Sequence, residues 1–312
     1  MLYDVESLKK ALSKCPYLMG DIEKAFVAYT KGETIVPPVG FLNLEQPEGA
    51  VFIKYGCIKG DDNFAIKVFT AFNDNVKEGL PATSGMILVF SAKTGFIKAI
   101  LDDKGYLTGV RTALAGAIAA KYMAPKAVKA IGIIGTGNQA ELQLVYLKNI
   151  TDCQKVYVYG RNAAKAAAYA EKMTAAGYEV TVAATPAEVA ANCNLIVTTT
   201  ASTAPMLFGA DIQPGTHITA MGSDAPGKQE LDASVLGKAD IVVADSISQC
   251  FECGECAAAA QAGLLKESEV TELGNVILAG KCRENEEQIT VCDLTGIAVQ
   301  DIAIASAVLK GL

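Results

Sequence analysis

The feature that most constrains the fold is an alternation of apolar runs and helix-like segments between about residues 127 and 245. The apolar runs are KAIGIIG, KVYVYG, VTVAA, NLIVTTT, HITAMG and ADIVVAD, and segments with helical spacing such as NQAELQLVYLKN and NAAKAAAYAEKMTAAG lie between them. Apolar strands that alternate with helices are typical of a parallel sheet with crossover connections. The block therefore predicts an α/β fold with a doubly wound parallel sheet.

A glycine-rich turn follows the first of these strands. Gly135-Thr136-Gly137-Asn138-Gln139-Ala140 has the spacing GxGxxA between a strand and a helix. The first glycine permits a tight turn, the second lets the backbone approach a pyrophosphate, and the alanine allows close helix–strand packing. The N–H groups at the start of the helix favour a phosphate charge. The turn predicts a dinucleotide site, and the alternative is a glycine-rich turn of another α/β fold.

The end of the second strand bears on the choice between NAD and NADP. It reads Tyr159-Gly160-Arg161-Asn162 and has no acidic residue to bind the ribose hydroxyls of NAD. Arg161 can pair with a 2′-phosphate, and Asn162 can hydrogen-bond to it. The cofactor is therefore predicted as NAD(P)H with a preference for NADP, and the alternative for Arg161 is a solvated side chain at a helix start.

The segments outside this block have a different pattern. Residues 4–30 have helical spacing with a break near Cys15-Pro16, residues 40–101 contain short β-like runs, and residues 109–124 form an alanine-rich helix. The final segment reads as a strand, a turn and a long apolar helix outside the alternating block. We predict a second α+β domain formed by residues 1–125 together with 292–312, and a dinucleotide domain over residues 126–291.

Composition and charge exclude several functions. The 27 Lys and Arg residues against 34 Asp and Glu residues leave no basic footprint for nucleic acid. No apolar stretch is long enough for a transmembrane helix, and the N-terminus does not resemble a signal peptide. Nine cysteines in 312 residues are too sparse for a disulfide scaffold, so we expect a cytoplasmic protein.

Two lysines interrupt otherwise apolar strands. Lys67 lies within Phe64–Phe69 (FAIKVF), and Lys54 lies within VFIKYG. A buried ammonium group must pair or lower its pKa, so it can donate a proton or bind a carboxylate. The alternative is a lysine on the outward face of an alternating strand.

Arg111 and Asp224 occupy positions suited to ligands. Arg111 is placed at the start of the alanine-rich helix, where it can bind a carboxylate or phosphate, or form a surface ion pair. Asp224 follows the strand HITAMG at the carboxyl edge of the predicted sheet, where ligands bind in open α/β folds. It is a candidate acid–base group or a turn-stabilising residue.

Histidine and cysteine offer little further chemistry. His217, the single histidine, starts the strand that precedes Asp224 and is predicted to be structural. Cys250, Cys253 and Cys256 form C-x2-C-x2-C, which can hold zinc or a cluster, but an entry into a packed helix is the favoured interpretation and no metal is predicted.

Five segments in order resemble the ornithine cyclodeaminase/mu-crystallin family. They are FAIKVFTAFNDN, GVRTALAGAIAAKYMA, GIIGTGNQAELQ, THITAMGSDAPGKQELD and CDLTGIAVQDIA, and GSDAPGKQELD and TGIAVQDIA look closest to the alanine-dehydrogenase-like and imine-reductase branches. The resemblance implies a Rossmann domain plus a substrate and dimerisation domain, a homodimer, and NAD(P) chemistry on amino acids and imines.

The resemblance also implies residue roles. Lys67 and Arg111 would hold the substrate carboxylate, Lys67 would be an alternative proton donor, and Asp224 would transfer a proton. Contacts with the cofactor would come from Arg111, Thr112, Gly135, Thr136, Gly137, Asn138, Gln139, Gly160, Arg161, Asn162, Thr200, Ala201, Met221, Lys228 and Leu294.

Two departures from the family pattern affect the substrate. The turn Val36–Gly40 has no basic residue where many members hold the carboxylate, and Lys54-Tyr55 stands where members often have Met-Pro. Lys54 either replaces the lost cation or binds a second carboxylate, as in iminosuccinate. No acid is evident for an ornithine amine. We predict an NAD(P)H-dependent reductase of a small 2-imino acid; the alternatives are a cyclodeaminase with internal NAD recycling and a non-catalytic NADPH or small-ligand binder.

Overall fold

A computed structural model describes residues 1–312 apart from the side chain of Asn73. The chain divides into two compact units, here called unit 1 (Met1–Arg111 with Ile297–Leu312) and unit 2 (Thr112–Gly296). The division after Arg111 falls within a helix, Tyr106–Met123. The domain boundaries drawn from the sequence, at residues 125/126 and 291/292, stay a prediction.

Unit 1 combines a seven-stranded sheet with helices. Its elements are β1 (Leu2–Asp4), α1 (Val5–Leu12), α2 (Leu18–Thr30), β2 (Thr34–Ile35), β3 (Gly40–Glu45), β4 (Glu48–Ile58), β5 (Asn63–Ala71), a 3-10 helix (Asn73–Glu78), β6 (Thr83–Ser91), β7 (Ile97–Asp102), the start of α3 (Tyr106–Met123), and the C-terminal helix, which is α11 (Ala298–Gly311). The strand order is β1-β7-β6-β5-β4-β2, and β3 also pairs with β4. Only the β1–β7 pair among the described strand pairs of this sheet is parallel.

The two faces of this sheet have different surroundings. On β4, Phe52 and Lys54 are buried, whereas Ile53 and Tyr55 between them are exposed. Successive side chains of a strand point to opposite faces, so this alternation separates a core face from an open face. Helix α11 packs against β4 and β5.

Unit 2 is built on an eight-stranded parallel sheet. Its elements are the rest of α3, β8 (Ile131–Ile134), α4 (Asn138–Leu147), β9 (Lys155–Tyr159), α5 (Ala163–Ala175), β10 (Glu179–Val182), α6 (Pro186–Asn192), β11 (Leu195–Thr198), β12 (Thr203–Leu207), β13 (His217–Ala220), β14 (Gln229–Leu231), α7 (Ala233–Lys238), β15 (Ile241–Ala244), α8 (Ile247–Cys253), α9 (Glu255–Gln261), a 3-10 helix (Glu267–Glu269), β16 (Val270–Glu272), α10 (Leu273–Ala279) and β17 (Thr290–Asp293). The sheet order is β10-β9-β8-β11-β13-β17-β15-β16, and β12 pairs with β14 separately. The predicted doubly wound α/β fold is confirmed, as is the second α+β unit.

The last strand is where the sequence interpretation was wrong. Residues 290–293 were expected outside the alternating block, but β17 pairs in parallel with both β13 and β15. All four of its residues are buried, as is usual for a central strand of a parallel sheet. Only the following helix, α11, belongs to unit 1.

The alanine-rich helix begins earlier than predicted. Helix α3 starts at Tyr106 rather than near residue 109. The carboxylate of the buried Asp103 accepts hydrogen bonds from the Leu107 N–H at 2.8 Å and the Thr108 N–H at 3.4 Å. These bonds satisfy N–H groups that have no partner within the first turn of a helix. Arg111 therefore lies in the second turn of α3.

No helix in the described part of the chain combines the length and apolar character needed to cross a bilayer.

Candidate functional site

The core face of the unit 1 sheet carries two lysines side by side. Lys54 on β4 and Lys67 on β5 are directly paired across the antiparallel ladder. Their side chains therefore share one face, and they are 6% and 2% exposed. Two like charges in this arrangement destabilise a sheet. The proposed alternative of an outward-facing Lys67 does not apply, because the strand directs it into the core.

A carboxylate from the C-terminal helix joins Lys67 to Arg111. Lys67 Nζ lies 3.1 Å from Asp301 Oδ1 and 2.9 Å from Oδ2, and the Oδ1 contact has hydrogen-bond geometry. Arg111 Nε donates to the same Oδ1 at 2.9 Å, and Arg111 Nη1 donates to Gln300 Oε1 at 2.7 Å. Arg111 is 4% exposed, so this is a buried cluster rather than a surface ion pair.

The cluster shifts the protonation of its members. Burial, and then the positive charges of Arg111 and Lys54, lower the pKa of Lys67 to about 7, although Asp301 opposes this shift. Burial raises the pKa of Asp301, but the charges of Arg111, Lys67 and Lys54 outweigh it and keep that pKa below its ordinary value. Lys67 can thus gain or lose a proton near neutral pH, whereas Asp301 stays ionised.

One buried donor of the cluster is unsatisfied. Within the described residues, Gln300 Nε2 has no hydrogen-bond partner. A buried donor without an acceptor is costly, and a ligand oxygen would satisfy it. The cluster, defined here as Lys54, Lys67, Arg111, Gln300 and Asp301, therefore offers cations and one spare donor to an anionic group.

In unit 2, the glycine-rich turn has the shape that a pyrophosphate needs. Gly135 has φ +123°, and a Cβ there would lie 2.4 Å from Thr199 Oγ1. Gly137 caps α4 without any side-chain hydrogen bond, and a Cβ on it would meet open space. The turn thus leaves the helix N-terminus accessible, and these residues fit a dinucleotide.

The end of β9 lies beside this turn. A Cβ on Gly160 would come within 2.5 Å of Thr136 Cγ2, so the two turns are in close contact. Arg161 is exposed, whereas the Asn162 side chain caps α5 by accepting the Lys165 N–H at 3.0 Å. Asn162 therefore has a structural role at this helix start, and its hydrogen bond to a 2′-phosphate stays a prediction.

Other residues predicted to contact the cofactor lie at the carboxyl ends of the next strands or in α3. Thr200 and the exposed Ala201 follow β11, the buried Met221 follows β13, and the buried Leu294 follows β17. Gln143 of α4, fully buried, donates from Nε2 to Thr112 O at 3.1 Å and contacts Met221 Sδ at 3.0 Å. Thr112 and Met221 are thereby connected to the helix that follows the glycine-rich turn.

Asp224 forms an ion pair with Lys228. Lys228 Nζ lies 2.6 Å from Asp224 Oδ1, and the Asp224 side chain is 40% exposed. Ser223 Oγ donates to Lys228 O at 2.7 Å, which closes the loop on itself. The loop therefore holds an accessible carboxylate with an adjacent ammonium group.

His217, Cys250 and Cys256 are buried in the core, whereas Cys253 is half-buried. His217 is fully buried between Thr290 Oγ1 and Thr219 Oγ1, and burial lowers its pKa to about 3. Cys250 Sγ donates to Asp245 Oδ1, while Cys253 Sγ donates to Gln249 O. No group of three or more metal-ligating side chains occurs among the described residues.

The sequence matches the ornithine cyclodeaminase/mu-crystallin family over residues 1–311. The chain belongs to this family. A relative from Sinorhizobium fredii, an uncharacterised cyclodeaminase, is 39% identical over 288 residues, which are 91% of this chain and 87% of the relative. The alanine dehydrogenase of Archaeoglobus fulgidus is 36% identical over 299 residues, which are 93% of this chain and 88% of that enzyme.

Solved structures of ornithine cyclodeaminase/mu-crystallin relatives agree with the fold. An archaeal alanine dehydrogenase dimer with bound NAD has a TM-score of 0.92 and 32% identity, covering 100% of this chain and 95% of that one. Thermococcus litoralis Δ1-pyrroline-2-carboxylate reductase with NADH and L-proline has a TM-score of 0.93 and 28% identity, covering 100% and 97%. Paracoccus denitrificans iminosuccinate reductase with NAD+ has a TM-score of 0.85 and 28% identity, covering 99% and 95%.

Three buried polar residues were missed from the sequence. Gln300 and Asp301 interrupt the apolar helix AVQDIAIASAVL, and a buried acid in such a helix is itself a signal of a partner cation. Glu230 gave no comparable signal, because it lies in a short polar run, QELD, that looks like a surface segment.

Proposed function

We propose that this protein is an NAD(P)H-dependent reductase that converts a small 2-imino acid to the 2-amino acid. The observation that carries the proposal is the buried cluster of Lys54, Lys67 and Arg111 around Asp301, with an unsatisfied amide donor on Gln300. Asp301 already pairs with Lys67 and Arg111, and a substrate carboxylate would add a second anion to this predominantly positive cluster. The family relationship to alanine dehydrogenase and imine reductases supports this substrate class.

The glycine-rich turn of unit 2 would hold the pyrophosphate of the cofactor, with Asn138 and Gln139 as contacts. When bound, a reduced nicotinamide supplies the hydride that reduces the imine carbon. The nitrogen gains one proton in the same conversion, so the products are the amine and the oxidised nucleotide. Related structures contain NAD, NADH or NAD+.

The residues of this chain would bind and protonate the substrate. Arg111 and Lys67 hold the carboxylate, and Asp224 exchanges the proton at nitrogen. A protonated iminium accepts hydride better than a neutral imine, so an acid near the nitrogen stabilises the transition state. Lys67, with its pKa near 7, is the second candidate for proton donation.

Lys54 bears on the choice of substrate. A diamino acid would bring a second ammonium group, and Lys54 places a cation rather than an acid on the buried face of β4. This charge disfavours ornithine and favours either a monocarboxylic imine held by three cations or a dicarboxylic imine held at both ends.

We also propose that the protein is a homodimer that uses the open face of the unit 1 sheet. Ile53, Tyr55 and Met86 are exposed there, beside the half-buried Val68 and Leu88 on the same face. Exposed apolar patches of this kind mark interfaces, and the related alanine dehydrogenase is a dimer. Light scattering should give a dimer mass, and Ile53→Glu should give a monomer. A monomeric wild-type protein would contradict the assignment.

The deciding experiment is NAD(P)H oxidation by purified protein with a panel of imines. The panel contains pyruvate with ammonia or methylamine, oxaloacetate with ammonia, and pyrroline-2-carboxylate, each with NADH and NADPH. Turnover of any member supports the proposal, and a preference for oxaloacetate with ammonia assigns Lys54 to a second carboxylate. No turnover in the presence of bound cofactor would refute it, and ornithine and lysine would then test the cyclodeaminase.

Two variants make this experiment specific. Asp224→Asn should lose turnover by at least about 100-fold while cofactor affinity stays within about threefold, because proton transfer contributes at that scale. Arg161→Ala should lower the preference for NADPH over NADH by about tenfold, which is the effect of losing one charge-assisted contact. An unchanged preference would show that Arg161 is a solvated side chain.

A further inference from the structure

One buried carboxylate connects two loops at the carboxyl edge of the unit 2 sheet, which is the edge where ligands bind in open α/β folds. Glu230 of β14 is fully buried. Its Oε2 accepts hydrogen bonds from Thr198 Oγ1 at 2.6 Å and from the Gly222 N–H at 2.7 Å. Its Oε1 accepts the Thr200 N–H. Thr198 and Thr200 lie at the end of β11, while Gly222 follows β13, its neighbour in the sheet.

The two loops are closely packed against the Glu230 carboxylate, and a second buried acidic residue holds Glu230 in place. A Cβ on Gly222 would lie 2.0 Å from Thr200 O and 2.4 Å from the Glu230 carboxyl carbon, so the two loops and the carboxylate leave no free space. The fully buried Glu255 carboxylate accepts the Glu230 N–H at 2.8 Å and the Leu231 N–H at 3.0 Å. Glu255 therefore holds the Glu230 backbone in place, and the Glu230 side chain in turn holds the Thr200 and Gly222 loops.

The sheet order shows which part of a dinucleotide would meet these loops. The glycine-rich turn follows β8, and β9 lies on one side of β8 while β11 and then β13 lie on the other. A dinucleotide with its pyrophosphate at β8 and its adenosine ribose at the end of β9 extends its second half over β11 and β13. That half carries the nicotinamide.

We propose that Glu230 is a positioning residue for the nicotinamide half of the cofactor, acting through the Thr200 and Gly222 loops. Asp224 follows Gly222 by two residues, so the same carboxylate also fixes the start of the loop that carries it. The inference rests on the cofactor part of the proposed function and does not depend on which imine is the substrate.

The test compares a full dinucleotide with one that lacks nicotinamide. Dissociation constants of NADH and ADP-ribose are measured for wild type and Glu230→Gln, with their 2′-phosphates if NADPH binds better. The glutamine side chain has the same size as glutamate, but its NH2 group is a donor. It would therefore face at least one of the three groups that now donate to Glu230, and that hydrogen bond would be lost. We expect NADH to bind about tenfold more weakly to the variant, whereas the dissociation constant of ADP-ribose should change by no more than about twofold. The reason is that the affected loops would contact only the nicotinamide half of the cofactor.

A second readout separates positioning from general damage. If nicotinamide is displaced, the primary deuterium isotope effect on kcat with 4-deuterated cofactor should rise, and kcat should fall by about 100-fold or less, the scale for a misplacement near 1 Å. His217→Gln, a buried substitution at the opposite end of β13, is the control: it should lower Tm without changing the NADH to ADP-ribose affinity ratio.

Thr198→Val keeps the inference testable if Glu230→Gln does not fold. It removes one of the three bonds to Glu230 without changing size, and should shift the affinity ratio in the same direction by a smaller factor. Equal weakening of NADH and ADP-ribose in these variants, or lower Tm with an unchanged ratio, would overturn the assignment. Loss of imine turnover with an unchanged ratio would count against Glu230 and not against cofactor binding.

Discussion

The buried cluster of unit 1 makes the pH dependence of substrate binding predictable. With the pKa of Lys67 near 7, the cation that should hold the carboxylate is lost as pH rises through neutrality. We expect kcat/KM for imine reduction to fall by about tenfold per pH unit above that pKa, as required for a single proton. Lys67→Met should remove this step and hold kcat/KM at the low value that wild type approaches when Lys67 is neutral.

Removing either of two neighbouring charges should shift the pKa of Lys67, and the pH at which kcat/KM falls should shift with it. The two removals should act in opposite directions. Asp301 lies 2.9 Å from Lys67 Nζ, and at an effective dielectric constant of 20 this attraction is about 6 kcal/mol, or about four pKa units as an upper bound. Asp301→Asn should therefore lower the pKa of Lys67 by at least about two units. The positive charge of Lys54 lowers the pKa of Lys67, so Lys54→Met should raise that pKa.

The assay is the pH profile of kcat/KM for one imine with each of the four proteins, so that protonation of the substrate is common to all. Shifts of opposite sign in Asp301→Asn and Lys54→Met support Lys67 as the titrating group. A profile that does not move, or that moves in the same direction in both variants, would refute the reasoning.

Two further predictions concern unit 2. Gly137→Val should weaken ADP-ribose binding by at least about tenfold with Tm nearly unchanged, because the added atoms enter the space for the pyrophosphate; Gly132→Ala, whose Cβ would lie 2.5 Å from Val189 Cγ1, should lower Tm instead. A matching loss of Tm in both would contradict this. His217 binds a proton in the unfolded chain at about 6.5 but only near 3 when folded, so the free energy of unfolding should decrease as pH falls between these values. Urea unfolding of wild type and His217→Gln at pH 7 and 4.5 checks this. The free energy of unfolding should decrease less between these pH values in the variant, whereas an equal decrease would show that other groups cause the acid sensitivity.

The sequence alone predicted the doubly wound fold, because buried parallel strands are apolar throughout and the helices between them have their own period. It also identified the glycine-rich turn, since the GxGxxA spacing between a strand and a helix is a local pattern and the positive φ of Gly135 favours glycine. Lys54, Lys67 and Arg111 were selected as candidate carboxylate ligands because charges in apolar patterns are conspicuous. Their proposed roles, like that of Asp224, stay predictions.

The tertiary structure decided which groups act together. Asp301 meets Lys67 and Arg111 across 234 and 190 residues of chain, so no local spacing relates them. Glu230 looks like a surface residue in QELD and is fully buried, and its role depends on the order of β8, β11 and β13 in the sheet. Strand β17 was misplaced for the same reason: its apolar pattern shows that it is buried but not which strands it lies between. Local pattern reports the period and burial of a segment, whereas the partners of a buried charge or strand are set by long-range packing.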